Sequence, residues 1–266
     1  ARGAASFLVR YRPQSAAVDR SDWSTSSTVA LPAGTDYTGV AAVTGLTSGT
    51  RYEYSVVFDG GNRSEAGPAS DITLPLPLGG TFATLPPERV PAAVRLAFGS
   101  CTMKSYHVGY ELRGLSRLLE LDPLPSAWLM LGDLIYADVP LSGVGFGART
   151  ELYRAHYRRT LADPHAVALE RAVPGFYMLD DHETLNDWTR TDGATFEAAL
   201  GAWREYAGSL NPLLSTRFVP AKEASQLGGV GAGQQPGEWY TFVAAHVCVF
   251  VADARTRRAP GTLLGA

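Results

Sequence analysis

Two short apolar runs, each leading straight into acidic residues, most constrain what this chain can fold into. Ala127–Leu131 runs into Gly132-Asp133-Leu134-Ile135-Tyr136, and residues 176–179 run into Asp180-Asp181-His182-Glu183. Apolar runs this short, bounded by Pro and Gly, predict buried strands rather than helices. The acidic clusters then fall at the carboxyl ends of strands, where open α/β sheets place their ligands. A third predicted strand, 95–100, delivers Cys101 to the same kind of position. Thiol, carboxylate, phenol and imidazole groups at three strand ends suggest metal-dependent hydrolysis.

The 266 residues suffice for one large domain or two ordinary ones. Hydrophobic residues at 45% and charged ones at 18% are enough to build and solvate a core. The formal charge of −3 gives no basic field for nucleic acid and no polybasic membrane anchor. A phosphate-bearing ligand would therefore be held locally, by a metal or an Arg. No apolar run approaches the roughly 20 residues that span a bilayer. Two cysteines cannot make a disulfide framework, although a single bridge is left open. Cys248, inside Val-Cys-Val-Phe-Val, reads as a small core residue. The chain starts at Ala1 and stops at Ala266 and is expected to be a fragment at both ends.

Residues 1–90 read as a small antiparallel β-sandwich. Alternation over 7–12, 38–43 and 51–58 predicts half-buried strands, Asp59-Gly60-Gly61-Asn62 a hairpin turn, and 81–84 a last strand. The stretch 43–54 resembles the corner before a late strand of fibronectin type III-like sandwiches. Trp23, Tyr52 and Tyr54 are expected in its core. Pro and Gly accumulate over 74–91, a linker-like composition that puts a boundary near residue 90. Beyond it, strands alternate with helices predicted at 108–121, 150–161, 165–173 and 194–210, and two final strands at 238–244 and 247–252, which argues for α/β architecture. Leu227 to Gly237 carries several glycines without the Lys-Ser/Thr ending of a P-loop and reads as a loop.

Each cluster has an ordinary reading beside the chemical one. Gly132-Asp133 can be a turn whose Asp caps the next helix, and Asp180-Asp181-His182-Glu183 an acidic first turn. The convergence of three clusters favours chemistry, because adjacent carboxylates repel unless a cation or Arg neutralises them. Asp133 is then the candidate bridging carboxylate, turned out by Gly132. Tyr136 and Cys101 argue against plain Mg²⁺.

Leu96-Ala-Phe-Gly-Ser-Cys101, Gly132-Asp133-Leu-Ile-Tyr136 and Asp180-Asp181-His182-Glu183-Thr-Leu-Asn186-Asp187-Trp188 together resemble the PhoD-like alkaline phosphatase/phosphodiesterase family. Tyr153-Arg154, Tyr157-Arg158 and Asp253-Ala-Arg255-Thr-Arg-Arg resemble further segments of that family in the same order. The resemblance implies a four-layer metallophosphoesterase core of mixed sheets flanked by helices over 91–266, behind an accessory β-domain. It implies Fe(III) held by Cys101, Asp133 and Tyr136. It implies Ca²⁺ at a second site shared by Asp133, Asp180 or Asp181, and Asn186, with other divalent metals as alternatives. His182 is implied as the group that orients substrate or protonates the leaving oxygen. Leu179 stands where the family usually has Trp, and Asp187 where it has a second Asn. The family's later Gly-Asp-x-His segment has no counterpart before Ala266.

The expected activity is hydrolysis of phosphate monoesters or diesters by a metal-activated hydroxide. Expected substrates are a small phosphate ester or a phospholipid or polymer diester, and the expected location is secreted or periplasmic. The competing reading, from a different class, is a binding or structural protein with a catalytically silent α/β domain.

Overall fold

The computed structural model describes residues 6–14, 23–59, 78–104, 111–139, 146–188, 193–212 and 238–256. Its first strands are β1 (Ser6–Pro13), β2 (Ser24–Thr25), β3 (Val29–Ala30), β4 (Arg51–Phe58) and β5 (Gly79–Ala83). They form one antiparallel sheet in the order β2-β1-β4-β5, with β3 also on β1. Among the described residues this is a single sheet, and the second sheet of a sandwich is not seen. Tyr52 is buried and stacks on Phe82 at 5.5 Å, and its hydroxyl accepts the Thr47 N–H at 2.9 Å. That bond pins the turn before β4, where the sequence predicts a corner. Trp23 is not a core residue as expected. It lies half-buried under the Arg10 and Arg12 guanidiniums, 5.3 and 4.5 Å from its centroid, a cation–π arrangement. Tyr54 is likewise only partly buried.

The strand predicted over 38–43 does not form. A 3-10 turn at Ala33–Thr35 precedes it, and Asp36 and Tyr37 come next with φ of 52° and 57°. Two successive left-handed residues turn the chain out of the extended region, and none of the described strands pairs with residues 38–43. The predicted hairpin at 59–62 and the glycine-rich loop at 227–237 lie largely or wholly outside the described residues.

The α/β part begins with β6 (Leu96–Gly99), β7 (Ala127–Leu131) and β8 (Gly175–Met178), parallel in the order β6-β7-β8. Parallel neighbours need crossovers, supplied by α1 (Arg113–Ser116), then by α2 (Thr150–Leu161) and α3 (Pro164–Glu170). The first crossover is shorter than predicted. After α1 only a 3-10 turn at Arg117–Glu120 follows, ending in extended Leu121 ahead of Pro123 and Pro125. Part of that predicted helix, 108–110, lies outside the described residues.

Alternation along the strands sorts side chains into two cores. Trp128 and Met130 of β7 and Tyr177 of β8 face the helices, packing with buried Tyr153 and Tyr157 of α2 and Trp203 of α4 (Gly193–Tyr206). Ala127, Leu129 and Phe176 face the other way, against a hairpin of β9 (Tyr240–Ala244) and β10 (Val247–Val251). Phe176 and Phe242 stack there at 4.1 Å. Helices, parallel sheet and hairpin thus make three layers. Cys248 departs from the expected core position. Val247 and Val249 of β10 turn inward, so Cys248 and Phe250 turn out and are exposed. Both cysteines are free.

The break between α2 and α3 falls where Asp163-Pro164 predicts it. Asp163 caps α3, accepting from His165 N at 2.9 Å, and its other oxygen takes Lys104 Nζ at 2.8 Å and Leu112 N at 3.2 Å. Burial would raise this carboxyl, but Lys104 and the Leu112 and His165 donors outweigh it and hold it below the ordinary range. A depressed carboxylate contributes stability above its unfolded pKa and loses it as pH falls through the folded value. Asp163→Ala should therefore lower unfolding free energy in urea at neutral pH by roughly 3 kcal/mol, since a cap is lost and Lys104 is left unpaired. The difference from the native chain should shrink as pH is lowered below about 4.

Candidate metal centre

Parallel β6, β7 and β8 bring their carboxyl ends to one edge of the sheet, and three loops leave from there. Each loop turns sharply through the left-handed region, with φ of 64° at Cys101, 98° at Gly132, 57° at Asp133 and 54° at Asp187. Glycine is required at 132 for a second reason. A Cβ there would lie 2.3 Å from Asp180 Cβ, so the β7 and β8 loops touch through its missing side chain.

Backbone bonds stitch the loops together. Cys101 N donates to Gly132 O at 3.3 Å and Thr102 N to Asp133 O at 3.0 Å, while Ala137 N donates to His182 O at 2.8 Å. Glu183, with no exposed surface, accepts Leu134 N at 2.6 Å and Asp180 N at 2.9 Å. Its carboxyl is pushed up to about 7, chiefly by burial.

Asp133 stands at the centre. Its Oδ2 accepts from Cys101 Sγ at 3.3 Å and from the Tyr136 hydroxyl at 3.4 Å, whereas its Oδ1 is buried with no hydrogen-bond partner. Burial raises the Asp133 carboxyl, against the Cys101 contact and with help from Asp180. Tyr136 is raised too, first by burial and then by Cys101 and Asp133, so its phenolate form needs a nearby cation. Ligand atoms of Asp133, Asp181 and His182 lie within 4.8 Å of one another.

His182 is oriented from both sides. Its Nδ1 lies 2.8 and 2.9 Å from the two oxygens of buried Asp138, and its ring stacks on Tyr136 at 4.2 Å. Burial lowers the imidazole, but Asp138, with smaller contributions from Asp133 and Asp181, carries the net shift upward.

Of the residues singled out in the sequence, Cys101, Asp133, Tyr136, Asp181 and His182 come together. Asp180 and Asn186 do not join them. Asp180 Oδ1 pairs with Arg255 Nε, and exposed Asn186 turns its amide to Asp187 Oδ2 at 3.3 Å. Asp138 is a site residue that the sequence reading misses. Its only sequence signal is an acid five residues beyond Asp133, and its partner His182 is remote in sequence.

The donor set fits a metal. An unpartnered buried carboxylate oxygen is costly, and a cation between Asp133 and Asp181 would satisfy it. A thiol and a phenol on the other Asp133 oxygen add soft and anionic donors.

A parallel sheet with a donor-rich edge, helices on one face and a hairpin on the other defines a three-layer α/β fold. The PhoD-like phosphatase family model matches residues 96–209 of this chain. The solved structure of PhoD has the same fold, with a TM-score of 0.62 at 19% identity over 96% of this chain and 46% of that one. The chain thus spans about half the length of that structure. A purple acid phosphatase, PPD1 from yellow lupin (Lupinus luteus) seeds, matches with a TM-score of 0.49 at 13% identity, over 91% and 38% of the two chains. No curated protein matches the sequence.

Gly132→Ala tests the close approach of the two loops. The substitution meets both an unfavourable φ and the Asp180 Cβ, and should lower unfolding free energy by roughly 2 kcal/mol or more. Gly99→Ala, where a Cβ meets nothing within 4 Å, is the control expected to change stability little.

Proposed function

We propose that this chain carries the Asp133-centred half of a metal-dependent phosphoester hydrolase. The observation that carries the reading is the buried, unpartnered Oδ1 of Asp133 beside Asp181 and His182. Asp133 and Asp181 would hold the metal, with Cys101 and Tyr136 completing its thiol and phenol side. That donor pair favours Fe(III) over Mg²⁺. A cation here would polarise the phosphoryl group and supply the activated water for hydrolysis.

The rest of the chemistry belongs to this chain's own side chains. Asp138 fixes Nδ1 of His182, which leaves Nε2 as the ring atom free to hold or pass a proton to a leaving oxygen. Tyr136, stacked on the ring, keeps its plane from turning. Glu183 keeps the loops of Asp133 and Asp181 in register without entering the reaction. Residues 1–90 would serve as an accessory unit and 91–266 as part of the phosphatase domain. Substrates would be phosphate monoesters or diesters, and the setting secreted or periplasmic, as the family resemblance implies.

Convergence of five donor groups at one edge counts against a silent binding domain, since a silent domain gains nothing from a buried unpaired carboxylate. Elemental analysis of the purified chain should find bound metal, with affinity reduced about tenfold or more in Asp133→Asn. In a protein that includes the later family segment, His182→Asn should keep the metal and cut hydrolysis of an aryl phosphate by about a hundredfold or more. Loss of metal in His182→Asn would make the imidazole a ligand instead of a proton donor. Absence of metal from the native chain and from the longer protein would sink the hydrolase reading. Comparing bis-aryl with mono-aryl phosphate in the same longer protein separates diester from monoester preference.

A further inference from the structure

We propose that Arg255 is a positioning residue, the fixed countercharge of Asp180, so that of two adjacent carboxylates only Asp181 is left to take a cation. The inference rests on the metal-site reading above and concerns how this chain chooses between Asp180 and Asp181.

The two neighbours share Arg255 unequally. Asp180 Oδ1 receives the Arg255 Nε–H, and its side chain is 28% exposed. Asp181 is 9% exposed at its side chain, and its Oδ2 accepts Asp187 N at 2.5 Å. Arg255 Nη2 reaches Asp181 Oδ1 at 3.3 Å, a longer contact than the one to Asp180. Asp181, and not Asp180, shares the close group with Asp133 and His182.

Arg255 is held in place from its own side. Asp253 Oδ1 accepts from Arg255 N at 3.1 Å and Thr256 N at 2.9 Å, and Asp253 Oδ2 accepts Glu238 N at 3.0 Å. The turn after β10 is therefore built around the Asp253 carboxylate, and it delivers an arginine side chain only 12% exposed to the end of β8. On the opposite side, Asp180 packs against Gly132, where a Cβ would lie 2.3 Å from Asp180 Cβ. Asp180 thus lies between a glycine and an arginine. Without the guanidinium, Asp180 and Asp181 would repel each other and compete for the same cation.

Two measurements on the chain test this, and the first needs no metal. In thermal unfolding of the metal-free chain, Arg255→Gln should lower the midpoint by roughly 3 °C or more. Adding Asp180→Asn should recover about half of that loss or more, because the unneutralised charge is its cause. Arg255→Lys, which keeps the charge, should recover it as well. An Arg255→Gln loss that neither change relieves, or no loss at all, overturns the proposal.

The second is a Mn²⁺ titration by calorimetry. Asp180→Asn should leave the dissociation constant within about threefold, while Asp181→Asn should weaken it about tenfold or more. In the Arg255→Gln background Asp180 is released, and Asp180→Asn should then weaken binding. Equal losses from Asp180→Asn and Asp181→Asn in the native chain overturn the assignment. A native chain that takes up no Mn²⁺ removes the cation from the proposal, and the unfolding cycle then decides the Asp180 countercharge by itself.

Discussion

Glu183 ties together the two loops on which everything else at this edge depends. A carboxylate with no exposed surface, it accepts one backbone N–H from the β7 loop and one from the β8 loop. Neither loop can move without stranding a buried acceptor, which is more costly than the net gain from making such a bond. The contact between Gly132 and Asp180 acts in the same direction through sterics. Together they fix the separation of Asp133 from Asp181 before any ligand arrives. Preorganisation of this kind is what a site needs if its donors are to meet a metal at a set distance.

The sequence made legible those features that depend on local chemistry. Ala127–Leu131 and Thr150–Leu161 form the predicted strand and helix, because an apolar run bounded by Pro and Gly, and a long helical period, leave few alternatives. The placement of Cys101, Asp133 and Asp181 at one edge follows from parallel pairing of the strands before them. The hidden features depend on which way a backbone turns. Adjacent Asp180 and Asp181 look equivalent in sequence, and they are separated by Arg255 on one side and the Asp187 N–H on the other. Asp138 is hidden for a related reason, since its pairing with His182 joins two loops that only the sheet brings together. The failed strand at 38–43 and the exposed Cys248 show the opposite error. In both, a β-like composition suggests burial where no neighbouring element among the described residues covers the chain.

The Tyr153-Arg154 and Tyr157-Arg158 pairs illustrate how a family-like motif can be structural. Four residues apart, the two tyrosines fall on one face of α2 and are fully buried against the sheet. The arginines, one position on, turn toward the first sheet and α4. Arg154 bonds both oxygens of Glu205 and donates to Gly34 O at 2.6 Å, while Arg158 and Tyr206 converge on Asp36. The turn at Ala33–Asp36 that precludes the predicted strand is thus the same turn that docks on the helices. Its left-handed Asp36 gains a partner by leaving the extended region.

Charge at the sheet edge bears directly on the proposed cation. Asp133, Asp138, Asp180, Asp181, Glu183 and Asp187 crowd the two loops, and Arg255 and His182 are the cationic groups paired with them there. Three of the acids have explicit compensation: Asp138 from His182 and the Asn186 N–H, Asp180 from Arg255, and Glu183 from two backbone donors. Asp181 is satisfied at one oxygen by a short backbone bond and touches Arg255 only at 3.3 Å with the other. Asp133 has a single serviced oxygen, and its donors there are a thiol and a phenol. If the fold required only neutralisation, Asp133 would be the cheapest acid to replace, since burial and Asp180 both work against its charge. Its place where Asp181, Tyr136 and His182 converge fits the shared positive charge that the proposed function puts there.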